Sequence, residues 1–468
     1  MQTQKKPVGK ISLGILCALS NGSTLLPYLI ISGLITGRTG HVDFFVPVVI
    51  VYTVQRACLV ALRGFGGIEN PYRIIRTGLI IALPGAALMI LSPLCETLLS
   101  VGALLTGIGF SPVGAMFAPL YSEWTSRDPA LKKSKLIGLL IYLPALLLVS
   151  VLSGLRFPVI PILFFLFIAA ALIILIRSDA DALFGGRKAF DPAKRDLFFF
   201  VFGFLTLLCL LVLRQYKQSG VSYMVWIAPV IILLNLIFEL VRRRNYRDFV
   251  YQTYWSGALK IHLMLFSLLY HVSVGNTGMV MPVYAALSVG GILAGIAGKP
   301  LKKLLPDPLC SRVCMILSAG CSFLLTVPSA AVNLIGILLA DTFAGIVSAD
   351  AGTVYLQDER HEPKERPLTR LRINTMGGIL GQTVLFSVIW AIGSFRLQRN
   401  LLEAYASRTP DPGVGPALQA AGLICSAVLL LSAVLIAVFA KHPEDSTPPA
   451  GPDKADGDAE PQESTLPA

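Results

Sequence analysis

The chain has 468 residues, of which 54% are hydrophobic and 14% charged, whereas roughly a quarter of an ordinary soluble domain is charged. That composition excludes a water-soluble globular enzyme. The formal net charge of +12 does not indicate a nucleic-acid binder either, because Lys and Arg sit in short clusters between apolar runs rather than along one face.

In chain order, the basic N-terminus (Met1 to Lys10) precedes a run with a polar middle at Ser20, Asn21, Ser23 and Thr24. That run is too long and too polar for a cleaved signal peptide and is read as a retained span. Runs of about 20 apolar residues, each long enough to cross a hydrocarbon core about 30 Å thick, then recur to Ala440. The first six are expected near 11–36, 43–62, 74–93, 97–121, 136–155 and 158–176, with two more near 197–213 and 221–241. The last six are expected near 258–275, 279–298, 311–328, 332–355, 373–395 and 416–440. The expected fold is therefore an all-α polytopic membrane protein with 14 transmembrane helices.

Alternate loops must fall on opposite sides, and cytoplasmic loops collect Lys and Arg. With the N-terminus inside, only Arg38, Arg156, Arg214, Lys217, Arg396, Arg399 and Arg408 fall outside, and Arg56 and Lys260 fall within spans. The remaining 30 of the 39 basic residues, with Arg76 and Arg312 counted at the cytoplasmic ends of their spans, are then cytoplasmic. An odd span count would scatter these clusters over both faces, so the pattern supports an even count with both termini inside. The tail 441–468, rich in Pro, Ala, Asp, Glu and Ser, lacks the apolar surface to order itself.

The expected organisation is a cytoplasmic N-terminus (1–10), an N-terminal six-helix bundle (11–176) and a cytoplasmic linker (177–196). A two-helix insertion (197–241), a second linker (242–257), a C-terminal six-helix bundle (258–440) and a disordered cytoplasmic tail (441–468) follow. Positional symmetry supports two halves. A Gly-containing basic turn, Arg63-Gly64-Phe65-Gly66-Gly67, follows the second span, and Gly295 to Lys303 follows the corresponding later span. Likewise Ala103 to Gly107 sits where Asp341 to Gly345 sits.

The eight cysteines are scattered through apolar segments without CxxC or zinc-ligand spacing, so no metal and no cofactor is expected. No phosphate loop, HExxH or Ser/His/Asp grouping appears, and no enzyme activity is expected.

Gly107-Ile-Gly109 before a charged loop, Phe238-Glu239 before a new span at Phe249 to Ala258, and Asn374-Thr-Met-Gly377-Gly378-Ile-Leu-Gly381 together carry a resemblance. With the span count, they make the chain from Ile11 to Ala440 resemble the major facilitator superfamily, and specifically its fourteen-span branch of multidrug/proton antiporters. In the loop after the second span, Glu69, Arg73 and Arg76 stand where that family has an Asp and paired basic residues. Ala103 replaces the family's fourth-span Arg, Tyr142-Leu143-Pro144 retains only the Pro of its fifth-span motif, and the glutamate-rich first span of the peptide transporters is absent.

Ionisable groups within spans are costly and mark candidate sites. Asp341 lies about nine residues, or roughly 14 Å, from the outer end of its span, near midplane. The resemblance places it on a central cavity, where it would take up a proton or meet a cationic substrate. The same resemblance turns Asn21, Ser20 and Thr24 toward that cavity. His262 and His271, nine residues apart, fall on nearly opposite helix faces and are candidate proton relays or buried structural histidines, not one metal site.

Arg56, near the inner end of its span, is a gate, structural or anion-contacting residue, and Lys260 is expected to snorkel to the inner surface. Glu69, Arg73, Asp350 and Arg372 are further gate or ion-pair candidates, and Gly107, Gly377, Gly378 and Gly381 are helix-packing positions.

What the resemblance implies is a monomeric secondary transporter of the inner or plasma membrane, without nucleic-acid partners, exporting a hydrophobic or amphipathic small molecule with protons as the coupling ion. An organic-anion or lipid carrier, suggested by Arg56, and a non-transporting receptor or scaffold, suggested by the eroded motifs, are the alternatives.

Overall fold

The structure is a computed structural model and describes residues 7–36, 46–152, 159–219, 224–241, 248–306, 308–357, 362–402 and 409–440. The expected tail 441–468 and the basic cluster Arg242, Arg243, Arg244 and Arg247 lie outside the described residues. A helix overlies each apolar run of the sequence reading. Among the described residues nine helices are long and apolar enough to cross a membrane, and a bent pair at the N-terminus makes ten.

That bent pair is α1 (Lys10–Gly22) and α2 (Leu25–Thr36), which together occupy the one span expected at 11–36. The two meet at 66°. Pro27 has no N–H to offer the carbonyl of Ser23, four residues back, so the helical ladder opens there. Gln55 on α3 (Val46–Ala61) closes the gap: its Nε2 donates to the Ser23 carbonyl at 2.9 Å, while its own carbonyl accepts from Ser111 Oγ at 2.9 Å. A polar side chain buried in lipid-embedded helices thus replaces the lost backbone bond.

Next come α4 (Pro71–Leu91), α5 (Glu96–Phe110), α6 (Val113–Arg127), α7 (Ser134–Leu152) and α8 (Val159–Arg177). The expected linker 177–196 is not featureless. It holds the short α9 (Ala180–Leu183) and a strand, β2 (Phe190–Asp191), paired antiparallel with β1 (Gly67–Ile68) so that Gly67 faces Asp191. Gly66 has φ 132, and a Cβ there would sit 2.1 Å from the Asp191 carbonyl, so only glycine permits this pairing.

Asn70 caps α4 by accepting from Arg73 N–H at 3.4 Å and donates to Asp181 Oδ1 at 2.9 Å and to the Arg187 carbonyl at 3.3 Å. Asn70 is fully buried, so Asn70→Ala removes the cap and frees the linker at once. A loss of about 1–2 kcal/mol is expected, measured as a lower unfolding midpoint in lipid nanodiscs.

The chain continues through α10 (Leu197–Ser219) and α11 (Met224–Val241) to α12 (Asp248–Ser273). α12 begins ten residues before the expected start at 258, so most of the expected linker 242–257 is helix. α13 (Val280–Leu304), α14 (Leu309–Ser322), α15 (Ala330–Gln357), α16 (Arg366–Ala391) and α17 (Gly415–Phe439) complete the fold.

Two apolar clusters result. One is built chiefly from α1 to α8, the other chiefly from α10 to α17. Tyr52 and Val60 of α3 join the later group, while Leu268, Tyr284 and Leu368 join the earlier one, marking where the groups meet. α10 packs on α3, with Phe65 and Phe200 edge to face at 5.0 Å, and α11 packs on α16, so this helix pair touches both groups. Leu136, Leu140, Leu166, Leu431 and Val438 are exposed on the outer surface, as lipid-facing side chains must be.

Candidate functional site

A cavity of about 340 Å³ lies where the two helix groups meet. The earlier group contributes Asn21, Thr24, Tyr28, Tyr52, Gln55, Arg56 and Tyr142. The later group contributes Gly257, Lys260, Ile261, Met264, Leu287, Ser288, Gly291, Asp341, Asn374 and Gly378. The opening of α1–α2 at Ser23 and Thr24 brings Asn21 and Thr24 to this wall.

Asp341 is 3% exposed, and Lys260 Nζ approaches its Oδ1 at 3.8 Å. This corrects the expectation that Lys260 snorkels to the inner surface. Because α12 starts at Asp248, Lys260 is twelve residues, about 18 Å, along the helix. A buried carboxylate within reach supplies the alternative partner. Gly290 and Gly291 on α13 leave room for Asp341: a Cβ at Gly290 would stand 3.0 Å from the Asp341 Cβ.

Arg56 faces the cavity from the opposite wall. Its Nη1 donates to Thr375 Oγ1 at 3.1 Å, across the junction, and its guanidinium lies 5.3 Å from the Tyr52 ring. Of the roles left open for Arg56, the ion pair with an acid of the opposite half is not formed among the described residues; the contact across is a hydroxyl. Tyr28 on the cavity wall meets Tyr284 edge to face at 5.6 Å, again across the junction.

Ser20, His262 and His271 do not line the cavity. The Ser20 carbonyl accepts from Ser23 Oγ at 2.7 Å. His262 is buried with Nε2 3.3 Å from Ser426 Oγ on α17, stacked on Phe266, and His271 is buried nearer the end of α12. The packing glycines sit at close helix approaches: Gly107 against Val51 of α3, Gly377 against Tyr254, Gly378 against Gly257 and Ile261, and Gly381 against Ala258. Among the described residues no group of three or more His, Cys, Asp or Glu could hold a metal ion.

The gate candidates resolve into separate contacts. Glu69 pairs with Arg187 at 3.5 Å and Arg73 with Asp181 at 3.0 Å, both within the earlier group. Asp350 pairs with Lys302 at 2.6 Å and accepts from Ser311 Oγ at 3.0 Å within the later one. Arg372 lies 4.6 Å from the Phe199 ring and donates to Thr369 Oγ1 at 3.1 Å.

The links that cross the junction are different ones. Arg63 pairs with Glu365, whose Oε1 also accepts from the Ile68 N–H at 3.2 Å. Lys364 Nζ donates to the Glu69 carbonyl at 2.9 Å, and Lys194 pairs with Glu362. The Glu362 carboxylate holds the Lys194 ammonium above the ordinary lysine range.

Sequence reasoning missed Glu362 and Glu365, which stand among Arg360, Lys364 and Arg366 and read as part of a basic loop. It also missed Tyr52, Gln55 and Ser288, whose types are ordinary in spans. Lys260 carried a legible signal, a lysine with a deep acid in the same half.

No protein-family model matches the sequence, and no curated protein matches it. Solved structures do. A peptide transporter POT in complex with sulfate superposes with TM-score 0.60 and 11% identity, over 92% of this chain and 96% of that one. A POT family transporter in complex with 5-aminolevulinic acid gives TM-score 0.56 and 10% identity, over 93% and 96%. FucP, a major facilitator superfamily transporter in the outward conformation, gives 0.48 and 13%, over 91% and 97%. The chain is a multi-pass membrane protein with the fold of these POT transporters.

Proposed function

We propose that this chain is a secondary active transporter that moves a small amphipathic molecule by alternating access around the cavity between its two helix groups. The observation that carries this reading is the cavity itself. It is lined from both groups and bounded by contacts that cross the junction, with three charged side chains facing it. Ionisable side chains within spans are costly and mark a functional site by default. The solved structures of similar fold are named as transporters, which agrees with the reading.

In this reading the chain crosses a cell membrane fourteen times as a monomer with both termini cytoplasmic. Bundles 11–176 and 258–440 rock about the cavity, and 197–241 forms the inserted pair. Protons are the coupling ion, and the Lys260–Asp341 pair is where they act, since protonating one carboxylate dissolves the pair. Export of a hydrophobic compound, implied by the resemblance to drug antiporters, draws no support from a cavity with three ionisable walls. The cavity charges favour the carrier of a charged substrate.

Rocking makes a test that needs no substrate. Spin labels at Ser126 and Lys303, at the end bearing the Arg63–Glu365 pair, and at Leu94 and Val327, at the other, should report two distance populations. Their weights should shift in opposite senses between pH 5 and pH 8. One unchanging distance at each end would favour a non-transporting scaffold.

A further inference from the structure

The signs of the cavity charges constrain the substrate. Charged side chains on the wall are Arg56 from α3, Lys260 from α12 and Asp341 from α15; its other titratable groups are Tyr28, Tyr52 and Tyr142. α13 adds only Leu287, Ser288 and Gly291 here, and α16 only Asn374 and Gly378. Of the remaining acids on α15 and the helices packed on it, Asp350 pairs with Lys302 well away from this wall. The basic side chains thus outnumber the acid two to one.

Their pairing is unequal as well. Among the described residues Asp341 is matched by Lys260 alone, and loosely, at 3.8 Å with Lys260 41% exposed. Arg56 has no acidic partner among the described residues; it makes one hydrogen bond to a neutral hydroxyl and rests on a ring. A guanidinium presents five donors in a planar fork suited to a carboxylate, so a cavity-facing Arg with one donor in use is a receptor for an oxyanion. The rest of the wall is Tyr, Leu, Ile and Met with Asn21, Gln55 and Asn374 between them, and 340 Å³ is at the small end of ligand cavities.

Resting on the transporter reading above, we infer that the substrate is a small amphipathic organic anion. Its carboxylate is held by Arg56 and shared with Lys260, and its apolar body lies against Tyr28, Tyr142 and Met264. The inference also sets the sign of coupling. The substrate carboxylate and Asp341 compete for Lys260. A proton on Asp341 releases Lys260 to the substrate, so proton and anion favour each other's binding and travel in the same direction. A cationic substrate would compete with the proton instead and give exchange. The charge balance therefore selects symport over the antiport of the drug exporters.

The test uses one scaffold in three charge states, 4-phenylbutyrate, 4-phenylbutylamine and 4-phenylbutanol, added to the full chain in lipid nanodiscs. Thermal stabilisation is the readout. The carboxylate should stabilise saturably, with the amine and alcohol at least about tenfold weaker. Arg56→Gln should weaken carboxylate binding roughly 10- to 100-fold, the loss of a charge-assisted hydrogen-bonded contact. Arg56→Lys, which keeps the charge without the fork, should fall between and serves if Arg56→Gln does not fold. Asp341→Asn should tighten carboxylate binding up to about fivefold.

Stabilisation by the amine in preference to the carboxylate, carboxylate binding untouched by either Arg56 variant, or no carboxylate response at 10 mM, on the order of the weakest specific affinities, overturns the inference. Each of these leaves the spin-label result, and with it the transporter reading, to stand or fall separately.

Discussion

Gly377→Ala is expected to give a protein that no longer packs α12 against α16. A Cβ at Gly377 would lie 1.8 Å from the Tyr254 carbonyl oxygen and 2.6 Å from its carbon. Both are backbone atoms, which no rotamer change can move aside. The converse contact is equally tight: a Cβ at Gly257 would lie 1.9 Å from the Asn374 carbonyl oxygen. Two glycines therefore interlock the helices, and small residues are what allow helix backbones in a membrane to approach this closely.

Adding one methyl forces the pair apart along its whole contact, at a cost of about 3 kcal/mol, the upper part of the range for overpacking. The same separation moves Lys260 on α12 relative to Asn374 and Gly378 on α16, so the cavity wall is lost with the packing. Purified Gly377→Ala should show a lower unfolding midpoint and a shorter half-life in detergent, by size-exclusion profile against time. Wild-type behaviour in both would show that the helices are not in this contact. Gly381→Ala, whose Cβ would meet Ala258 at 2.8 Å, should be milder.

Glu365→Gln should loosen one end of the cavity without unfolding either helix group. Glu365 is 6% exposed and is the acceptor for two donors of the earlier group, the Arg63 guanidinium and the Ile68 N–H. The glutamine keeps the shape but leaves Arg63 without its counter-charge, a loss of about 1–3 kcal/mol. In a protein that populates two arrangements, that amount, spent in one of them only, changes their ratio by roughly 5- to 150-fold. Hydrogen–deuterium exchange should speed at 62–70 and 362–369 and stay unchanged along α4 and α14. Protection that falls everywhere alike would mean that the pair holds up the fold as a whole and not one arrangement of it.

The two results would separate packing from gating, and the separation was only half legible in the sequence. The Gly377-Gly378 pair and Gly381 were recognisable as a close-approach surface, because glycines at helical spacing in a span have few other uses. Their partner was not, since Gly257 fell in a stretch, Tyr251 to Gly257, polar enough to read as a linker. Aromatic and polar residues packed between helices look like a loop until the neighbouring helix is in place. The contacts across the junction were hidden for a related reason. Glu69 and Arg73 were read as gate candidates, yet their side chains pair within their own group, and a contact across the junction is made by Glu365, 302 residues from Arg63 in the chain.

Hydropathy and charge by themselves determined that the chain is helical and lies in a membrane, because a hydrocarbon solvent imposes run length and excludes unpaired backbone. They also singled out Asp341 and Arg56, because a charge in such a run is costly wherever it points. Only the tertiary structure decided which charges meet. The packed helices bring Lys260 to Asp341, leave Arg56 with a hydroxyl instead of an acid among the described residues, and exclude both histidines from the cavity. Pairing of charges is a matter of ångströms between helices far apart in sequence, and helical periodicity carries no record of that distance.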